Sequence, residues 1–468
     1  MKAKKMMALL LTAAMGVSAL TGCGGGNGKE SEEGKGADKK GKDVVTALLP
    51  PVSATYQDKI TEYVKAFNKE HPDVEIEVTT ASWEDTTQKL DVQVNAGSPP
   101  DIAFIGSDGV TKYLDMGMAV DISQYLSEDQ MKDFDENVLG YFKNGDGLYG
   151  LPAYCEVQCI GGNREFLEKA GIDWKSVQQN GWTYDEFREA IKKGVVEENG
   201  ATKTYGFLFA CSGVTAKDYF SIFVKNAGFP SPFNEDLKYT YTDPKMVDFL
   251  EDLRAMIDDG SMPKELGAMM LTGQTMITGK GLSSFERSAA NNNEMLKNGD
   301  ADAVEGSIPV DYIVLPVPVF EGGTQNAYGA VDGYICLTGE KKPDEEHLKN
   351  VAEVAYYLAS AERAAETCQE LYLKPICESG RTAYEALPPI ENKNEDNTKT
   401  VESLTKQIVP ARPDIPAELG AKAIKIEDEV IVPKFQGLLA GEVTPEEMHQ
   451  AIVDAAKEVF GEDGYVAE

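Results

Sequence analysis

The chain has 468 residues, with 78 acidic side chains against 45 lysines and arginines and a formal net charge of −33. A surface this acidic repels phosphate backbones and anionic lipid headgroups, which argues against nucleic-acid binding and peripheral membrane binding. It suits an exported protein with an uncharged or cationic ligand.

The first 22 residues have the pattern of a bacterial lipoprotein signal peptide. Three lysines at positions 2, 4 and 5 precede the apolar run Met6–Leu20, which is too short to cross a bilayer as a stable helix. The run ends in Leu-Thr-Gly-Cys, with a leucine three residues before Cys23 and a small residue directly before it. We therefore predict that Cys23 is the lipidated N-terminus of the mature protein. An ordinary secretory signal with a chance cysteine is the alternative.

Residues 23–43 read as the lipidated cysteine followed by a glycine-rich tether. Residues 24–43 contain glycines, lysines and acids but no apolar side chain larger than alanine, so they cannot bury a face. Such a segment holds a folded domain at a distance from the membrane. We expect the protein to be anchored by its lipid on the extracellular face of a Gram-positive cell membrane, without spanning the membrane.

The body of the chain alternates predicted strands and helices. Val44–Leu49 reads as a strand, Tyr56–Phe67 has helical spacing, and Val74–Thr79 alternates apolar and polar residues. A second helix ends at Gly97, before the apolar strand Asp101–Ile105. This order predicts an α/β layer with a parallel sheet. Roughly 425 residues are too many for one core, so two lobes are expected.

Two later helices carry clear start signals. Thr183 with Glu186, and Thr444 with Glu447, have the spacing of capping boxes. Trp174 and Trp182 precede the first of these helices and are interpreted as structural.

The sequence offers little for catalysis or for a cofactor. The three histidines are far apart in sequence and form no metal-binding motif, and the cysteines beyond Cys23 lack metal-ligand spacing. We predict that the protein is not an enzyme and that it holds no cofactor or metal. Cys155 and Cys159 make a poor disulfide pair if they share one extended strand.

Three segments together resemble a known family. They are AGSPPDIAFIGSDGVTKYLDMGMAVDISQYL, GLYGLPAYCEVQCIGGNREFLEKAGID and GWTYDEFREAIKK. In order and spacing the chain from 44 to 468 is similar to the extracellular solute-binding proteins of bacterial ABC importers, in the carbohydrate-binding group (family 1) that includes maltose-binding protein. The resemblance implies a two-lobed periplasmic-binding-protein-like fold of type II, with a ligand cleft between lobes joined by crossover strands.

The same resemblance implies the lobe boundaries. The N-terminal lobe would comprise residues 44–152 and 313–372, and the C-terminal lobe residues 153–312 and 373–468. The crossings would lie at Leu151–Tyr154, at Tyr312–Val317 and at Leu373–Pro375. The lobes would close over the ligand by hinges at these segments.

Two carboxylates are the main ligand contacts that the resemblance implies. Asp108 follows a strand at a family position that accepts sugar hydroxyls, and a helix N-cap is its alternative role. Glu156 matches a second such carboxylate beside the first crossing, with an interlobe salt bridge as the alternative.

Aromatic and bordering residues complete the predicted site. Trp83 is expected in a loop as a stacking platform, or else in plain packing. Phe285 lies near a binding aromatic of the family, although tryptophan is usual there and Ser283-Ser284 stand close to that position. Asp332 is expected to face the cleft, Tyr154 to border the hinge, and Asp218 with Tyr219 to match a site-lining region loosely.

The function that follows is capture of a sugar or oligosaccharide and delivery to the permease subunits of an ABC importer, with their cytoplasmic ATPase. The protein would act as a monomer. The same fold binding a polyamine or a peptide is the second reading, and a secreted glycan hydrolase is the third. Converging carboxylates without a compensating arginine would favour a cationic solute, whereas mixed polar groups and aromatics would favour a sugar.

Overall fold

A computed structural model describes residues 41–53, 55–209, 214–263, 270–279, 283–339, 343–390 and 393–466. The predicted signal peptide, Cys23 and most of the tether lie outside these ranges. Lys42–Glu468 form one compact unit. Among the described residues, no helix combines the length and the apolar character needed to cross a membrane.

Within the described residues the chain forms twelve strands. They are β1 (Asp43–Leu49), β2 (Val74–Thr80), β3 (Ile102–Gly106), β4 (Lys143–Asn144), β5 (Gly147–Leu148), β6 (Gly150–Gln158), β7 (Ile160–Asn163), β8 (Val196–Glu198), β9 (Ala201–Leu208), β10 (Thr275–Thr278), β11 (Tyr312–Leu315) and β12 (Tyr328–Cys336).

The same ranges contain eighteen α-helices. They are α1 (Tyr56–Glu70), α2 (Trp83–Asn95), α3 (Val110–Asp115), α4 (Glu128–Lys132), α5 (Glu136–Leu139), α6 (Arg164–Lys169), α7 (Trp174–Asn180), α8 (Tyr184–Lys193), α9 (Val214–Val224), α10 (Lys245–Asp258), α11 (Ser283–Asn298), α12 (Glu345–Ala359), α13 (Ala361–Glu370), α14 (Glu378–Glu385), α15 (Glu395–Thr405), α16 (Ala417–Ile426), α17 (Val432–Ala440) and α18 (Pro445–Phe460).

The first lobe is built on a five-stranded sheet in the order β2-β1-β3-β12-β6. The strands β1, β2 and β3 are parallel, as the sequence predicts, whereas β12 runs antiparallel to both β3 and β6. The apolar faces of α1 to α5 and α12 to α14 pack on this sheet in one continuous core. Parallel strands need helical crossovers, which is why both faces of this part of the sheet are covered.

The second lobe has its own sheet, in the order β11-β7-β10-β9-β8. Its core is rich in aromatic side chains and takes in residues of α6 to α10 and α16 to α18. A smaller cluster joins α11 and α15 to β11 and to the end of β6. The chain therefore forms two α/β layers, each with a separate sheet and core.

The crossings between the sheets come later in the chain than predicted. Residues 153–158 still belong to β6 of the first sheet, so the first crossing follows Gln158. Tyr312–Leu315 still belong to the second sheet, so the second crossing lies between β11 and β12. The first core extends to Tyr384, past the predicted third crossing at Leu373–Pro375. The predicted first boundary thus falls inside β6 and the predicted second crossing begins inside β11, because the apolar pattern of a strand does not show where the chain leaves a sheet; Leu373–Pro375 lies between α13 and α14.

The predicted local signals are confirmed at several positions. Thr183 and Thr444 each accept a hydrogen bond from the backbone of the glutamate three residues on, and that glutamate closes the capping box. Trp174 and Trp182 are buried in the second core. The described cysteines, Cys155 and Cys159 among them, form no disulfide with one another.

His347 ties three elements of the first lobe together. On α12, its Nδ1 lies 2.8 Å from the carboxylate of Asp43, and its Nε2 lies 3.1 Å from that of Asp101. The hydrogen bond to Asp101 is the main cause that raises the pKa of His347 to about 9; burial opposes the rise and Asp43 adds to it. Burial acts to raise the pKa values of Asp43 and Asp101, but hydrogen bonds outweigh it and lower both: from Asn350 and His347 to Asp43, and from His347 and Thr46 to Asp101.

This cluster predicts a pH-dependent stability. A histidine whose folded pKa exceeds its unfolded value of about 6.5 stabilises fully below that value, and the contribution disappears as the pH rises through about 9. We expect His347→Gln to cost about 1 to 2 kcal/mol at pH 6 and much less at pH 9.5. Urea unfolding at both pH values measures this difference. As a control, Asn350→Ala removes a neutral donor to Asp43 and should lower the free energy of unfolding equally at pH 6 and pH 9.5. If His347→Gln also costs the same at both pH values, the raised pKa of His347 is contradicted.

Candidate functional site

One face of the first sheet carries a row of polar side chains where β6 and β12 pair. Directly opposed residues of an antiparallel pair point to the same face, as do alternate residues along each strand. Three successive pairs therefore share a face, namely Asp332 with Tyr154, Ala330 with Glu156, and Tyr328 with Gln158. The Tyr154 hydroxyl donates a hydrogen bond of 2.8 Å to Oδ2 of Asp332. This face, called the cleft face below, holds three of the predicted site residues.

Asp108 joins the cleft face from the end of β3. It lies in a short 3-10 turn, Ser107–Gly109, and does not cap α3. A Cβ placed on Gly106 would lie 2.5 Å from Oδ1 of Asp108 and 3.4 Å from Oδ1 of Asp332. Both carboxylates therefore lie close to Gly106, and a side chain at that position would displace the carboxylate of Asp108.

The second lobe reaches this site through Lys217 on α9. Its Nζ lies 2.8 Å from Oδ2 of Asp108, 3.3 Å from Oε2 of Glu427 and 3.9 Å from Oδ1 of Asp428. The ammonium of Lys217 is the main cause that lowers the pKa of Asp108. Burial opposes the charge of Lys217, but the three carboxylates raise its pKa well above the ordinary value. Lys217 thus forms an ion pair between the two lobes.

Glu427 and Asp428 lie on a π-helical segment, Glu427–Ile431, between α16 and α17. The carboxylate of Glu427 also accepts a hydrogen bond of 3.1 Å from the Ser221 hydroxyl of α9. Such wide turns often occur at functional sites because they change the direction of a side chain within a helix. Here the segment presents two carboxylates to Lys217.

Asp332 is the most perturbed acid of the site. Its pKa is raised to about 7, chiefly by burial; the hydrogen bond from Tyr154 acts to lower the pKa, and the charges of Asp108, Glu156 and Asp218 act to raise it. Near neutral pH the Asp332 carboxyl therefore exists in both the charged and the neutral form, and it can accept or donate a hydrogen bond. Perturbed acids of this kind are a common property of binding sites.

Glu156 lies at the centre of the cleft face and is 7% exposed. Its charge contributes to the raised pKa values of Tyr154 and Asp332 in the first lobe and of Tyr312 in the second, in each case after burial as the main cause. Phe285 of α11 packs against the Tyr312 ring, with a centroid distance of 5.1 Å. The structure thus places Glu156 and Phe285 near the same tyrosine.

Trp83 is the first residue of α2 and not a loop residue, because Ser82 caps that helix. Its indole Nε1 donates a hydrogen bond of 3.2 Å to the carbonyl of Pro51, and its ring meets the Phe104 ring edge to face at 5.7 Å. The side chain nevertheless remains 43% exposed. A ring held on two sides and open on another is suited to stacking.

Tyr219, expected to contact the ligand, instead lies in the second core. It is fully buried and stacks on Phe209 at a centroid distance of 4.5 Å, and its hydroxyl lies 3.9 Å from the sulfur of Met262. The turn of α9 is the physical reason, since it directs Lys217 towards Asp108 and directs Tyr219, two residues later, into the second core. Our expectation that Tyr219 contacts ligand is therefore replaced by a role for Lys217.

Sequence reasoning also missed Gln158 and Tyr328. Gln158 is 6% exposed, and its Oε1 has no hydrogen-bond partner among the described residues. The signal for Gln158 was its position two residues after Glu156, which places both on one face of a strand. The residues next to Tyr328 in the sequence do not indicate a site, because only the pairing of β12 with β6 brings Tyr328 to the cleft face.

The site can accept many hydrogen bonds and donate few. Carboxylates dominate it, and the described residues hold no group of three or more His, Cys, Asp or Glu arranged to bind a metal ion. A ligand with many hydroxyl or amine donors satisfies such a set of acceptors. Such an arrangement is suited to binding, and Lys217 brings the second lobe to it.

Comparison with known sequences agrees with this geometry. A sequence model of the family described as bacterial extracellular solute-binding protein matches residues 53–365. A protein of Brucella abortus (strain 2308) described as a binding protein is 24% identical over 297 residues. The match covers 61% of this chain and 65% of that relative, which is just under two thirds of its length. A lipoprotein of Streptomyces antibioticus is 26% identical over 132 residues, 28% of this chain and 29% of its own.

Solved structures share the two-lobed fold of type II. An ABC substrate-binding protein from Listeria monocytogenes in complex with cycloalternan has a TM-score of 0.66 at 20% identity, with 91% of this chain and 100% of that chain covered. A maltose/maltodextrin-binding domain from Bdellovibrio bacteriovorus bound to maltotriose has a TM-score of 0.65 at 15% identity, with 89% and 99% covered. At these identities the likeness establishes the fold.

Proposed function

Since the chain belongs to the bacterial extracellular solute-binding protein family, we propose that it captures a sugar or oligosaccharide and delivers it to an ABC importer. The observation that carries this proposal is the convergence of Asp108, Glu156 and Asp332 between two lobes that an ion pair already joins. The permease subunits of the importer would receive the closed, loaded protein, which would act as a monomer.

The chemistry of the site supports a sugar ligand. Carboxylates accept hydrogen bonds from adjacent hydroxyls, and the open face of Trp83 can stack on the apolar face of a sugar ring. Two solved structures of the same fold, one in complex with cycloalternan and one bound to maltotriose, favour the same class of solute. Nothing in this arrangement requires a chemical step, so we propose capture without turnover.

A thermal-shift screen against neutral sugars and oligosaccharides tests the proposal. A ligand at one hundred times its Kd adds about 2.7 kcal/mol of stability, which is a clear rise in melting temperature. We expect at least one member of the panel to give this rise without release of new reducing ends. If only polyamines or peptides stabilise the protein, its ligand is a non-sugar solute. If the protein releases reducing ends from an oligosaccharide and a Glu156→Gln variant does not, the protein is a hydrolase.

The proposed location rests on Cys23. A lipid on this cysteine and the 20-residue tether after it would hold the binding lobes about 25 Å from the extracellular face of the membrane. We expect Cys23→Ala to release the protein from the membrane fraction into the medium. A salt wash of membranes from both strains is the control, because it removes proteins held by charge alone. An alanine variant that stays bound after the wash would locate the anchor elsewhere.

A further inference from the structure

A second concave site lies on the second lobe, beside the crossing to β12. It is a cavity of about 520 Å³, within the size range of small-ligand sites. Three segments form its walls: residues 178–183, which join α7 to α8; residues 316–325, which lead from β11 towards β12; and residues 400–407, at the end of α15. None of its lining residues belongs to the cleft face, so this hinge pocket is separate from the proposed cleft site.

Side-chain amides and hydroxyls dominate the lining of the hinge pocket. They are Gln178, Gln179, Asn180, Gln325, Gln407, Thr400 and Ser403. The one charged residue among the described lining residues is Glu186, whose Oε2 accepts hydrogen bonds from the backbone N–H and the hydroxyl of Thr183. A lining with one carboxylate and no cation offers an anionic ligand no ion pair, and its neutral amides and hydroxyls favour a neutral polar ligand.

Two amides of the pocket have hydrogen-bonding capacity left. Oε1 of Gln407 is inaccessible to solvent and has no hydrogen-bond partner among the described residues. Nε2 of Gln325 makes only long contacts, of 3.3 to 3.5 Å, to the carbonyls of Val317 and Asn326 and to Oδ1 of Asn226. A buried acceptor without a donor is costly, and rotation of the Gln407 side chain towards a ligand hydroxyl in the pocket would remove that cost.

Hydrogen bonds to backbone carbonyls hold the walls of the pocket in place. The amide of Ala327 donates to the carbonyl of Gln407 at 2.9 Å, and the amide of Val409 donates to the carbonyl of Ala327 at 3.1 Å. Gln178 donates to the carbonyl of Val314 at 2.9 Å, and Trp182 donates to that of Pro316 at 2.8 Å. Walls fixed in this way keep the amides at constant spacing, which lowers the entropic cost of binding.

We propose that the hinge pocket is a second saccharide site, which takes a neutral mono- or disaccharide. Side-chain amides present one donor group and one acceptor in a plane, so they match adjacent hydroxyls that each donate and accept. Pro316, Val319 and Leu404 supply an apolar surface for the ring face. This inference does not depend on the cleft, because the two sites share no residue.

The test uses the full-length protein with the Glu156→Ala and Trp83→Ala changes combined, which weaken the cleft and remove its tryptophan signal. Glucose, mannose, maltose and cellobiose are titrated one at a time, and intrinsic tryptophan fluorescence reports the site because Trp182 lines the pocket. We expect saturable binding of at least one of these sugars. Ser403→Phe should abolish it by filling the pocket from an exposed position, and Gln407→Leu should weaken it by about 2- to 10-fold.

The outcomes separate this inference from the proposed function. Saturable binding that is lost in Ser403→Phe supports the hinge pocket whether or not the cleft binds a sugar in the parent protein. No saturation up to about 50 mM with any of the four sugars would overturn the inference. Binding that survives both Ser403→Phe and Gln407→Leu would also overturn it, because the sugar would then lie elsewhere.

Discussion

Glu156→Ala is expected to weaken binding of the captured sugar by about 10- to 150-fold. A charged acceptor that is withdrawn from water makes hydrogen bonds worth about 1.5 to 3 kcal/mol each, and the alanine variant loses them. Glu156 is 7% exposed at the centre of the cleft face, so a bound sugar would complete its removal from water. Calorimetric titration with whichever sugar stabilises the parent measures the loss.

The unliganded fold should tolerate this change. The Glu156 charge raises the pKa of Asp332, and its removal relieves repulsion between neighbouring carboxylates. We therefore expect little change in the unliganded melting temperature. Glu165→Ala is the matched control, since Glu165 is an exposed acid of α6 that pairs with Lys169. Equal affinity in the Glu156 and Glu165 variants would mean that the ligand does not contact the cleft face.

The sequence predicted well those parts of the fold that depend on local patterns. The parallel order of β1, β2 and β3 followed from strand and helix periodicity, and the caps at Thr183 and Thr444 followed from residue types at fixed spacing. These features are determined by neighbours within a few residues, which a single sequence contains. The resemblance to solute-binding proteins then supplied the arrangement of the two lobes.

The site was only partly predictable because it forms between elements that are distant in sequence. Asp108 and Asp332 are 224 positions apart, and their approach depends on the antiparallel pairing of β12 with β3. Lys217 was missed because nothing near it in the sequence indicates Asp108 as a partner. Tyr219 was expected to line the site for a related reason, since the rotation of α9 about its axis is fixed by the second core, which buries Tyr219.

Lys217→Met is expected to weaken ligand binding by about 30-fold and to open the unliganded protein. Lys217 is 21% exposed and carries the ion pair from α9 to Asp108 of the first lobe. Without it, Glu427 and Asp428 of the second lobe face Asp108 with like charge. Removal of one partner from a buried ion pair costs about 3 to 5 kcal/mol of stability. Because Asp108 is 46% exposed and water screens its charge, we expect the closed state to lose about 2 kcal/mol. Less of the protein is then in the closed state that binds tightly.

Two measurements distinguish a contact between lobes from a general loss of charge. Small-angle scattering should give a larger radius of gyration for unliganded Lys217→Met than for the parent, and titration should give the weaker affinity. Lys203→Met removes the same charge from an exposed pair with Glu198, at the edge of the second sheet, and should change neither quantity. Because Lys217 is mostly buried, added salt should mimic the variant only weakly. If Lys217→Met has the parent's radius and affinity, the ion pair does not hold the lobes closed, and closure must depend on contacts that the ligand itself supplies.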